Sequence, residues 1–117
     1  MALLGQAAAV FDGKVVVGSE AIRGACWLAR GALEDGVHNL LSAYGHDVGS
    51  ATMRTKLGCL ESALADHDPD LARTARYAWQ GLSELCHHHA YELTPTVGQA
   101  RHLLEMVTRV CLAAPPA

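Results

Sequence analysis

The feature that most restricts the fold is a long stripe of apolar residues: Ile22, Cys26, Ala29, Leu33, Val37, Leu40 and Tyr44. The steps between them are 4, 3, 4, 4, 3 and 4. Steps of three and four bring side chains back to one face of an α-helix, whereas a strand would alternate every second residue. The spacing therefore predicts one helix of about seven turns. Ser19 is suited to cap its start, and Glu20 lies beside the positive helix end. Gly45 supplies a left-handed stop. Gly24, Gly31 and Gly36 fall inside the stripe. Each costs about 1 kcal/mol relative to alanine, so they mark a bend or a close approach of another helix.

Three shorter stripes follow. Ser50 reads as the cap of a second helix carrying Met53, Leu57, Leu60 and Leu64. Asp68-Pro69 pairs a capping carboxylate with a proline at the first helical position. The third stripe is then Leu71, Ala75, Ala78, Leu82 and Leu85, continuing to His89. Thr94-Pro95 repeats the cap-then-proline device before Val97, Leu104, Val107 and Cys111, and Pro115-Pro116 close the chain. Four helices on short connections predict an all-α, antiparallel four-helix bundle over residues 19–114. Residues 1–18 form an N-terminal extension: a short helix, a turn at Asp12-Gly13 and a valine-rich connector. At 117 residues the chain is one domain.

Half of the residues are apolar. That is more than one core of this size needs, so a helix face is expected to be shared, most simply in a homodimer. Nine Lys and Arg against twelve Asp and Glu leave a net charge of −3. No global field favours nucleic acid or an anionic membrane, and such binding would need a local patch. Along the chain, Arg54, Arg73, Arg76, Arg101 and Arg109 form no basic stripe interleaved with aromatics, so a base-stacking groove is not expected. Cys26, Cys59, Cys86 and Cys111 lie in apolar helical patterns with no CxxC spacing, which predicts four reduced, buried thiols. The apolar start has no basic leader and no run reaches the ~20 residues of a membrane span, so a cytoplasmic protein is expected. No Walker A, GxGxxG, HExxH or GxSxG pattern occurs, and no cofactor is expected.

The unusual segment is Cys86-His87-His88-His89-Ala90-Tyr91-Glu92. If the third helix runs through it, the three rings diverge. At about 100° per residue His89 falls in the apolar stripe, His87 points outward beside Arg76 and Gln80, and His88 lies one turn after Glu84. Consecutive helical residues cannot chelate one ion. A metal site would require the helix to end at Cys86, so that His87 and His89 share a side and His102 joins them. Tyr91 and Glu92 fall in the helix-to-helix turn, where Tyr91 is expected to pack the turn and Glu92 to sit near the positive start of the next helix. His38, His46, His67 and His102 read as surface or loop residues.

Two stretches, ATMRTKLGCL at 51–60 and LSELCHHHAYELTPT at 82–96, resemble a group of small helical proteins of actinobacteria. That group in turn resembles the HEPN superfamily, compact helical bundles that dimerise. The resemblance covers roughly residues 19–112 and implies a similar bundle and dimer. Nucleases of the superfamily carry an arginine followed, after four to six residues, by a histidine. They cleave RNA without a metal: the histidine moves the proton of the 2′-OH attack and the arginine stabilises phosphoryl charge. Carried onto this chain, His88 or His89 would be the catalytic histidine. The arginine window before His89 holds Leu82, Ser83 and Glu84, and the windows before His88 and His87 also lack arginine. The preferred reading is a non-catalytic binding or regulatory module. It would act as a homodimer with a protein or nucleic-acid-system partner, for which the resemblance implies a nucleotidyltransferase, and would bind through His87, Tyr91, Glu92, Arg54 and Arg76. The alternatives are a metal-independent ribonuclease that uses the His87–His89 cluster at a dimer cleft and borrows Arg54 or Arg76 in space, and a histidine-based metal or small-ligand site.

Overall fold

The structure, a computed structural model, describes residues 19–86 and 97–113. They form four α-helices and no strand: α1 (Ser19–Ala43), α2 (Met53–Leu64), α3 (Pro69–Cys86) and α4 (Val97–Leu112). The four predicted helices are all present. The extension at 1–18, the histidine segment and the Thr94-Pro95 cap lie outside the described residues.

Local chemistry explains most of the boundaries. Gly45 stands at φ +85°, the left-handed conformation that lacks a Cβ penalty only in glycine. Around it the Gly45 N–H donates to the Ser42 carbonyl (3.0 Å) and the His46 N–H to the Leu41 carbonyl (2.9 Å). This is the paired Schellman closure, which satisfies carbonyls that the helix end would leave open. At the start of α3, the Leu71 N–H donates to Asp68 Oδ1 at 3.1 Å and Pro69 is the first helical residue, as its sequence predicts.

The cap of α2 is Thr52 and not Ser50. Thr52 has extended backbone (φ −64°, ψ 157°), and its hydroxyl accepts the Thr55 N–H at 3.3 Å. The chain is still turning at residue 50. Gly49 is at φ +51°, its N–H donates to Asp47 Oδ1 (3.2 Å), and the Ala51 N–H reaches the Val48 carbonyl (2.9 Å). Only after that turn closes does a hydroxyl face the free N–H groups of a helix start.

α1 packs against all three other helices, and α3 packs against α1, α2 and α4. α2 and α4 do not touch among the described residues, so α1 and α3 form the central pair. Three neighbours explain why the buried arc of α1 is wider than its stripe, adding Ala25, Ala32 and Leu41. The other helices bury Leu57, Leu60 and Leu64, then Leu71, Ala72, Ala75, Ala78 and Leu82, then Ala100, Leu103, Leu104, Val107 and Val110. Tyr44, Met53 and Leu85 pack against this core half-buried. The close approach expected of the α1 glycines occurs at Gly36, where a Cβ would meet Cys111 Sγ at 2.8 Å, but not at Gly24, which has nothing within 4 Å. A second approach brings Gly81 to Leu103.

All four cysteines are free, but only Cys26 is buried; Cys59, Cys86 and Cys111 are half-buried at helix edges. The Cys111 thiol donates to the Ala32 carbonyl at 3.4 Å.

Candidate functional site

His87, His88, His89, Tyr91 and Glu92 lie outside the described residues. Arg54 and Arg76 are described, and the fold brings them together. Arg54, in the first turn of α2, and Arg76, midway along α3, line one open groove of about 420 Å³ with Leu57, Trp79 and Gln80. Arg76 Nε donates to Glu61 Oε1 at 2.5 Å in a half-exposed ion pair. Arg54 is exposed and makes no hydrogen bond or ion pair among the described residues.

Trp79 connects this groove to a second cluster. The Arg30 guanidinium lies 4.2 Å from the Trp79 ring centroid and 5.2 Å from that of Trp27. Arg30 Nε also donates to Ser83 Oγ at 3.3 Å. Stacking of a guanidinium on an indole contributes about 0.5–1 kcal/mol when exposed and about 2 when desolvated. The half-buried Trp79 stack belongs nearer the upper figure and the exposed Trp27 (46%) nearer the lower. α1, α2 and α3 thus contribute Arg30, Arg54 and Arg76 with both tryptophans of the chain to one connected surface.

This surface corrects the expectation that arginines and aromatics do not interleave. They do so in space, because the contributing positions run from 27 to 79 over three helices. Neither Arg30 nor either tryptophan was singled out by sequence reasoning. A local signal existed: Trp27–Arg30 and Arg76–Trp79 are both three residues apart, which places each pair on one helix face.

Arg30 also marks the end of α3. Burial pushes the Cys86 thiol up from its ordinary value, and the nearby Arg30 charge opposes the shift. Cys26, one turn before Arg30, is pushed up to about 12 by burial, with Cys86 as a smaller cause. Both groups are therefore neutral thiols at physiological pH and poor nucleophiles. The guanidinium is held at Ser83, in the last turn of α3.

On the other side of α3, Tyr77, Gly81, Glu84, His102 and Leu103 line a smaller cleft against α4 of about 190 Å³. His46, His67 and His102 are exposed, in line with the sequence reading. His38 departs from it: the residue is half-buried, and its Nδ1 is enclosed with no hydrogen-bond partner among the described residues. Among the described residues no three His, Cys, Asp or Glu side chains gather as they would around a metal ion. No described helix is long and apolar enough to cross a membrane. Comparison of the chain with protein-family models, with curated proteins and with solved structures finds no match.

Proposed function

We propose that this chain is a non-catalytic, HEPN-like binding module: an antiparallel bundle that works as a cytoplasmic homodimer and docks a protein partner, with a nucleotidyltransferase as the partner class the resemblance implies. The observation that carries the reading is the arginine–tryptophan surface, which is built for recognition. Two of its three cations are already engaged. Arg30 is held by two indoles and Ser83, and Arg76 is held by Glu61. Glu84, exposed on α3, adds negative charge where the superfamily's nucleases carry an arginine. The antiparallel order is supported by Arg109 reaching Thr74 while Leu103 meets Gly81, so that α4 runs back along α3.

One observation favours the ribonuclease alternative. Arg30, absent from the sequence windows, reaches Ser83 in the last turn of α3, four positions before His87 in the sequence. Incubating the purified protein with single-stranded RNA separates the two readings, with a His87/His88/His89→Ala variant and Arg30→Ala as controls. The module reading expects no cleavage by any of the three proteins and a dimer mass in sedimentation equilibrium. Cleavage by the wild type that both variants lose would establish the nuclease instead.

A further inference from the structure

We infer that the Arg54–Arg76 groove is the docking site for an acidic peptide segment of a partner protein, one that combines carboxylates with an apolar side chain. The inference rests on the binding-module reading and names the chemistry of its partner. Arg54 is a cation without a counter-charge among the described residues. It stands in the first turn of α2, where free backbone N–H groups and the helix dipole attract anions. α2 has no acidic residue in that turn, whereas α3 opens with Asp68 as its cap and Asp70 in its first turn. A partner carboxylate at Arg54 would supply what the chain itself provides at α3.

Arg76 completes the pair. Its Nε is taken by Glu61, which orients the guanidinium and leaves its Nη donors for a second carboxylate. The same groove is lined by Gln80, by the edge of the buried Leu57 and by the Trp79 indole, on which Arg30 stacks. Two guanidiniums and an indole in one groove match a segment that combines carboxylates with an aliphatic or aromatic residue.

The same features disfavour a nucleic acid. A phosphodiester strand repeats its charge at every nucleotide and draws its affinity from a run of cations. This groove has two guanidiniums, one already shared with Glu61, on a chain of net charge −3.

The test is an array of short synthetic peptides varying in acidic and apolar content, probed with the full chain. The best binder is then measured by fluorescence anisotropy, with oligouridylate as a competitor. Peptides combining acidic and apolar residues are expected to bind, and more weakly as salt rises. Arg54→Glu is expected to weaken binding about tenfold or more, because it replaces attraction by repulsion. Its helicity should hold, since a carboxylate in the first turn of α2 is favourable. Arg109→Glu, which lies in a different groove between α3 and α4, should bind as the wild type does. The inference is overturned if acidic peptides are not retained, if binding survives Arg54→Glu, or if oligouridylate displaces the peptide at equal or lower concentration. A chain that neither cuts RNA nor binds acidic peptides would keep the module reading and lose this groove assignment; a chain that cuts RNA would lose the reading itself.

Discussion

An alanine methyl at Gly36 would lie 2.8 Å from the Cys111 sulfur and 3.4 Å from that residue's Cα. The sulfur has little room to yield, because its thiol donates to the Ala32 carbonyl on the same side of α1. Overpacking of this kind costs about 1–3 kcal/mol, against about 1 kcal/mol recovered from helix propensity. Gly36→Ala is therefore expected to lower stability in chemical denaturation, and adding Cys111→Ala, which removes the sulfur, should recover much of the loss. Gly24 gives the opposite outcome. Nothing lies within 4 Å of its Cβ position, so Gly24→Ala should raise stability by about 0.5–1 kcal/mol through propensity alone. Equal effects at the two sites would refute the α1–α4 contact. In the sequence these glycines look alike, because what separates them is a residue 75 positions downstream of Gly36.

At the scale of the elements, two hydroxyl residues compete for the start of α2. Thr52 accepts the Thr55 N–H, while Ser50 lies in the preceding turn. Thr52→Ala is expected to cost about 1 kcal/mol and Ser50→Ala to stay within about 0.5. Urea unfolding of the two variants measures this, and the reverse ranking would return the cap to Ser50. Where a single residue type settles a boundary, the sequence was sufficient: Asp68-Pro69 opens α3 and Gly45 closes α1. Where two candidates stood close together, the turn around Gly49 decided, and nothing in periodicity encodes that turn. The four stripes were legible because each helix buries one face. The arginine–tryptophan surface was not, because it is assembled from α1, α2 and α3. No single helix carries more than a pair of its arginines and tryptophans.

The whole molecule divides its stability unevenly. α1 is buried against three neighbours and contributes nine core residues, from Ile22 to Leu41. Among the described residues α2 touches only α1 and α3 and contributes three: Leu57, Leu60 and Leu64. Burial of a leucine side chain stabilises by about 1.5–3 kcal/mol before its entropy cost, so α2 is held by a small fraction of the core. Helices with few buried contacts open at lower free energy than the global transition. Native-state hydrogen exchange should therefore find the slowest amides in the middle of α1, around Ala29 to Val37, and faster exchange through α2 by local opening. Since α2 carries Arg54, the same opening would remove one side of the groove from a bound peptide. An acidic peptide that docks there should slow α2 exchange while leaving the α1 amides unchanged. Amides of α2 that exchange as slowly as those of α1 in the free chain would show that the bundle opens only as a unit, and would leave α2 no local opening to be damped on binding.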